Sequence, residues 1–422
     1  MKEKWYKLDT AAKIFPAISD KDGANYFRIC AVLKEKIQVD QLKKAVSIAL
    51  ERFPMYAVKI KEGLFWHYFD HNDGVPLVRK ESSNLFDTIN TLEHDKFMFC
   101  VEYYERRLSL RIFHALSDGT GGLEFFKAIV YYYLRLVGHN ITNDGTILTN
   151  EYEKLNDESQ DSFGYNYDED KIERIKEDKA YKVKGTPYSD NWTGISHLMM
   201  NVENVKEIAK KYNATITEFL GTALLYTMHK KYYDKKKKPI TLFVPVNARK
   251  IFESKSLRNF VLYIRSKLNM KEKSEYTFNE ILNIVKHDFK DELTKEKLTR
   301  RLVSQVRIEK NFFIRILPLF IKKIALKLSY KAYGSDLNTI SFSNLGVINV
   351  PSDFYNYVDQ MYFMIGTSTD GPINLSASSY NNLLTLTFVS RIMERTVEKD
   401  FIRFLSNEGI KITVQTNDLE VE

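Results

Sequence analysis

The stretch 107–127, RLSLRIFHALSDGTGGLEFFK, decides how the chain is read. Its first part alternates, with Leu108, Leu110 and Ile112 on one face and Arg107, Ser109 and Arg111 on the other. That period of two marks a half-buried β-strand whose even positions point inward. His114 continues the inward set at the strand's end. Ser117, Asp118, Gly119, Gly121 and Gly122 then break the pattern, and the GTGG run can turn tightly. An apolar helical pattern follows through Leu123, Phe126, Ile129, Val130, Tyr133 and Leu134.

The resulting spacing is His114-x-x-x-Asp118-Gly119. An inward imidazole can take a proton from a hydroxyl or an amine near neutral pH. Asp118 either orients that ring or holds the loop by pairing with an arginine. Taken alone, the residues leave a second reading open, a hydrogen-bonded core histidine before an ordinary Asp-Gly turn.

Working outward, Asn25–Leu33 reads as a strand and Val39–Phe53 as an amphipathic helix stopped by Pro54. Residues 56–69 read as two strands around a turn at Glu62-Gly63, and 96–104 with 107–114 as a hairpin. The polar, acidic segment 140–192 reads as a solvated linker between two halves. Beyond it come a strand at 195–202, a short helix at 206–212, and a Thr215-x-x-Glu218 capping box opening a helix to Tyr232. Lys235–Lys238 reads as a solvated turn, and Ile240–Val246 as a strand. Residues 277–331 are helical and basic, expected to bury their apolar side and solvate their lysines, with a membrane-surface helix as the other reading. Strands at 338–344, 361–366, 375–380 and 383–389 and a last helix near 394–406 close the chain, with a hairpin turn at Asn381-Asn382.

Composition sets bounds. The 422 residues suffice for two or three domains, and 44% hydrophobic and 13% aromatic content excludes a disordered chain. The net charge of +8 comes from scattered lysines, with no zinc knuckle or base-reading basic helix, so nucleic acid is not an expected partner. Cys30 and Cys100 lie far apart without ligand spacing and read as buried thiols of a reducing compartment. No His-x-x-x-His spacing suggests a metal, and no run reaches the length of a transmembrane segment. The N-terminal MKEKWYKLDTAAKIFP lacks an apolar signal core, so a cytoplasmic protein is expected.

Three segments in order carry a family resemblance. The His114–Gly119 stretch resembles the HxxxDG signature of the CoA-dependent acyltransferase superfamily, which includes chloramphenicol acetyltransferase and the condensation domains of peptide synthetases. VPVNARKIFESKSLRNF at 244–260 resembles that superfamily's second-half strand with its following Arg and Asn-Phe positions, and SFSNLG at 341–346 resembles a C-terminal strand and turn. The alcohol-acetyltransferase-like branch is the most similar. Arg258 stands where the superfamily often has Gly, and no Asp-Phe-Gly-Trp-Gly motif of the plant-type branch is present.

The resemblance implies an α/β fold of two chloramphenicol-acetyltransferase-like lobes, each a mixed sheet with packed helices, and an active-site tunnel between them. The lobes would be 1–180, carrying the motif, and 190–422. The implied reaction moves an acyl group from acyl-CoA, a co-substrate rather than a permanently bound cofactor, to a small alcohol or amine. His114 would be the general base, with Asp118, Gly119 and Arg249 holding the geometry. Ser343 and Asn344 are candidates to contact the oxyanion or the substrate. An acyl carrier protein is the alternative donor, although Phe113 stands where condensation domains usually have a second histidine. A non-catalytic scaffold of the same fold is the third possibility.

Overall fold

The computed structural model describes residues 5–18, 25–86, 96–168, 177–189, 192–234 and 238–417. Of the Lys235–Lys238 run, the first three lysines lie outside the described residues. A five-stranded sheet carries the N-terminal lobe, in the spatial order β12 (Val358–Ile365), β2 (Tyr26–Leu33), β7 (Arg107–Phe113), β6 (Phe99–Tyr104) and β5 (Val78–Lys80). Its neighbours are antiparallel except β5 and β6. Helices α2 (Val39–Arg52) and α3 (Gly119–Leu136) pack on each other beside it. A small antiparallel sheet of β1 (Trp5–Lys7), β4 (His67–His71) and β3 (Val58–Glu62) adjoins this lobe.

The second lobe is built on seven strands in the order β10 (Val261–Leu268), β9 (Ile240–Asn247), β11 (Ile340–Val347), β13 (Ile373–Tyr380), β14 (Leu383–Ser390), β8 (Gly194–Asn201) and β15 (Thr413–Thr416). β11 runs parallel to both its neighbours and the other pairs are antiparallel, so the sheet is mixed. Helices α5 (Val202–Lys211), α6 (Ile216–Tyr232), α7 (Phe278–Glu292) and α11 (Thr396–Asn407) cover it. The remaining helices are α1 (Phe15–Ile18), α4 (Ser162–Tyr165), α8 (Lys295–Lys310), α9 (Phe312–Ile316) and α10 (Leu319–Tyr333). Each lobe has its own apolar core, one around Phe27, Ile112 and Phe126, the other around Leu220, Leu242 and Phe388. Among the described residues no helix is long and apolar enough to cross a membrane.

Three readings of the sequence need correction. First, β7 is buried on both faces, not one, since Ser109 and Arg111 are as inaccessible as Leu110. The reason is a buried ion network across the sheet. Glu102 receives Arg28 at 2.8 Å, Arg79 at 2.9 Å and Arg111 at 3.1 Å, and Glu81 pairs with Arg28 and Arg107. Burial opposes the charge on Glu102, but Arg28, Arg111 and Arg79 outweigh it and hold its pKa below the usual carboxylate value. Second, the acidic linker is packed where it is described. Glu158 is buried in a bidentate pair with Arg52 at 2.7 and 2.8 Å, and Phe163 enters the second core. Third, the apolar side of α9 and α10 faces solvent.

The Glu102 network gives a stability prediction. Glu102→Ala removes the buried carboxylate shared by Arg28, Arg79 and Arg111 and costs about 3–5 kcal/mol. Urea unfolding at pH 7 measures it, and a loss under about 1 kcal/mol, the range of an exposed pair, contradicts it.

Candidate functional site

The turn after β7 is fixed by its backbone. Phe113 N–H donates to the Met98 carbonyl and His114 N–H to the Asn25 carbonyl, both at 2.8 Å, so the strand pairing continues to the histidine. Asp118, in extended backbone, caps α3 by accepting from Thr120 N–H and Gly121 N–H at 3.1 Å each. The second lobe supplies its other partners. Arg249 Nη1 lies 2.9 Å from Oδ2 and Nη2 donates to Oδ1 at 3.1 Å, while Phe260 N–H donates to Oδ2 at 2.8 Å. Asp118 is inaccessible to solvent and Arg249 nearly so.

The hydrogen bonds of Asp118 go to the loop and to the second lobe. Arg249 is held in turn. Its Nε donates to the Ser256 carbonyl at 2.6 Å and its Nη2 to the Arg258 carbonyl at 2.6 Å. Ser117 Oγ reaches the Leu257 carbonyl at 2.7 Å. The motif turn and the 254–260 loop therefore meet backbone to backbone. Gly121 makes that approach possible, because a Cβ there would sit 1.9 Å from the Leu257 carbonyl oxygen. At Gly119 a Cβ would sit 3.2 Å from Leu345, at the end of β11.

His114 keeps partial solvent access. Phe15 stacks on its ring with centroids 4.5 Å apart, and Phe27 meets it edge-on at 5.3 Å. Its Nδ1 lies 3.0 Å from Asn259 Oδ1. The Asn259 amide nitrogen donates to Asp9 Oδ2 at 3.3 Å, so Oδ1 is the end left to accept, and the His114 proton belongs on Nδ1. Nε2 then carries the free lone pair. Burial lowers the His114 pKa below 6.5, against the opposing pull of Asp118, so the ring is neutral at pH 7.

Asp9 was not singled out from the sequence. It is buried, and burial raises its pKa to about 6, although Arg258 opposes the rise. It accepts from Ala12 N–H at 2.7 Å and lies 3.5 Å from Arg258 Nε. The one local signal was its place as the sole carboxylate in 5–18, three residues before a helical turn. Arg258, which departs from the superfamily pattern, also donates to the Lys7 carbonyl at 2.7 Å and so ties the N-terminal segment to this loop.

Ser343 and Asn344 lie on β11. Both polar ends of Asn344 are engaged, its amide donating to Thr217 Oγ1 at 3.0 Å and its oxygen accepting from Gly346 N–H at 2.9 Å. Ser343 is half-buried. A cavity of about 750 Å³ is lined by Trp5, Leu8, Lys13, Trp66, Lys310 and Arg315 among others, and not by His114. Segment 8–15 gives Leu8 and Lys13 to that cavity and Asp9 and Phe15 to the histidine's surroundings.

No family model matches the sequence, and no curated protein matches it. Solved structures do share its shape. Trichothecene 15-O-acetyltransferase from Fusarium sporotrichioides aligns over 96% of this chain and 94% of its own, with TM-score 0.60 and 10% identity. Polyketide synthase associated protein 5 from Mycobacterium tuberculosis aligns over 96% and 98%, with TM-score 0.61 and 12% identity. The starter condensation domain of rhizomide synthetase, in complex with C8-CoA, aligns over 96% and 94%, with TM-score 0.61 and 10% identity. The two-lobed fold of condensation domains and acyltransferases is thus the fold of this chain.

The close approach at Gly121 is testable. Gly121→Ala must push the two loops apart and costs at least about 1–3 kcal/mol. Thermal unfolding monitored by circular dichroism measures it, and an unchanged midpoint contradicts the packing described.

Proposed function

We propose that this chain, which has the fold of condensation domains and O-acetyltransferases, transfers an acyl group from acyl-CoA to an alcohol or amine. The observation that carries the reading is the geometry of His114, whose Nδ1 is engaged by Asn259 and whose Nε2 has no hydrogen-bond partner among the described residues, while burial holds its pKa below the ordinary imidazole value. In this reading the lobe within residues 1–180 supplies the base and the lobe within residues 190–422 supplies Arg249 and Asn259, although β12 crosses over to complete the first sheet and Phe163 enters the second core.

His114 Nε2 removes the acceptor's proton as its oxygen or nitrogen attacks the thioester carbonyl. The negative charge then lies on the former carbonyl oxygen of a tetrahedral intermediate and needs donors. Ser343 is better suited than Asn344, whose polar groups already have partners. The intermediate collapses by breaking the carbon–sulfur bond, and His114 returns the proton to the departing thiolate. No acyl-enzyme bond is required, because both substrates meet at one histidine. Asp118, Gly119 and Arg249 act on the geometry and not on the proton. The cavity's tryptophans and cations suit a molecule with apolar and phosphate parts, as acyl-CoA has. Cytoplasmic placement, where acyl-CoA is at hand, belongs to the same reading.

The test is thiol release from acetyl-CoA and longer acyl-CoAs with a panel of alcohols and amines. His114→Ala lowers acceptor-dependent release by about 10²–10⁴-fold. Because the base must be neutral and its pKa is lowered, kcat/KM falls toward acid pH with a midpoint below the ordinary imidazole value of 6.5. Acceptor-dependent release that survives the substitution, or an acid limb whose midpoint lies above pH 6.5, overturns the role given to His114.

A further inference from the structure

We propose that α9 and α10 form a docking face for an anionic bilayer surface. A helix of a globular protein ordinarily turns its apolar stripe inward. Here the stripe is turned outward. Phe313 is 74% exposed, Phe320 67%, Ile324 63% and Leu328 64%, whereas Lys322 is buried. Lys322 is held there by the Phe65 carbonyl at 2.9 Å and the Arg315 carbonyl at 3.0 Å, with its ammonium 4.1 Å above the Trp66 ring. Those partners fix which side of α10 faces the protein, so the outward stripe is a consequence of built contacts and not of a loosely placed helix.

Phe320, Ile324 and Leu328 of α10 recur at every fourth position and so form one ridge. Lys323, Lys327 and Lys331 recur at the same interval and form a second row. Lys323 precedes Ile324 by one position and Lys327 precedes Leu328 by one, so the two rows lie about 100° apart around the helix. From Asn311 to Tyr333 the chain carries Arg315, Lys322, Lys323, Lys327 and Lys331 and no carboxylate. Lys323 pairs with Glu62 on the neighbouring hairpin, whose tip adds the exposed Leu64 and Phe65 beside the start of α10.

An occupant of this face must offer hydrocarbon and negative charge side by side along the whole of α10, about 22 Å. A bilayer interface with anionic headgroups does so. The apolar ridge enters the acyl boundary while the lysine stems extend and leave their ammonium groups among the phosphates. Arg315 belongs both to this face and to the wall of the 750 Å³ cavity, so a docked bilayer lies next to that cavity.

The full chain is sedimented with vesicles of phosphatidylcholine alone and of phosphatidylcholine with about one third phosphatidylglycerol. Two variants change only exposed positions, Phe320→Ser/Ile324→Ser/Leu328→Ser and Lys327→Glu/Lys331→Glu, with circular dichroism to show that both fold. The native chain partitions onto the phosphatidylglycerol vesicles and far less onto the neutral ones. The apolar variant loses at least about tenfold, and the charge-reversed variant loses at least about tenfold at low salt. Absence of binding to phosphatidylglycerol vesicles overturns the proposal, as does binding that the apolar variant retains. So does light scattering that shows a dimer for the native chain and a monomer for the apolar variant, since a second copy then covers the face.

Discussion

One buried carboxylate organises the junction of the lobes. Asp118 receives two backbone N–H groups from the start of α3, a third from Phe260 and two contacts from the Arg249 guanidinium. An ionised carboxylate without such partners would be costly at this depth. With them, the first turn of α3 and the entry to β10 are parts of a single charge arrangement. Neither lobe supplies all of it. The helix end contributes its unpaired N–H groups, and the second lobe contributes the fixed cation.

The position of the histidine follows from that arrangement. Once the Asp118 oxygens hold Arg249 and Phe260, residues 254–260 are pinned against the motif turn, and Asn259 stands beside His114. Asn259 reads out the ring's tautomer because Asp9 on its far side fixes which way the amide points. The N-terminal segment is thereby part of the junction and not a mere leader to β2. Thr10 bonds Asp161 and Glu309, Arg258 holds Lys7, and Phe15 covers the ring. Asp118 sets where the loops lie, and the chain from Asp9 through Asn259 sets how the imidazole is presented.

The local parts of this structure were legible in the sequence. Alternation gave β7, Thr215 and Glu218 form the expected capping box, and Asn381 and Asn382 take the positive φ values of a tight hairpin turn. The proximity of Asp118 and Arg249 was legible only through the family resemblance, since 131 residues separate them. What stayed hidden depends on distant partners. β12 joins the N-terminal sheet by pairing with β2. β10 is not legible as a strand because Arg265, Ser266 and Lys267 interrupt its apolar pattern, and distant Glu177, Asn338 and Asp288 make burial of the first two tolerable. Asp9 looks like a helix cap until Asn259, 250 residues away, is placed beside it. For α10 the apolar and basic periodicity was plain, but its facing was not, because the contacts of Lys322 with another element decide it.

The central claim is that the junction presents His114 as a neutral imidazole with its proton on Nδ1. Long-range ¹⁵N–¹H correlation spectra of the histidine rings test it most directly, with the His114 signals assigned by their loss in His114→Ala. The account predicts a neutral ring at pH 7 with its proton on Nδ1 and none on Nε2, and a midpoint for cation formation below 6.5. A ring protonated on Nε2 alone, or a cation at pH 7, contradicts it.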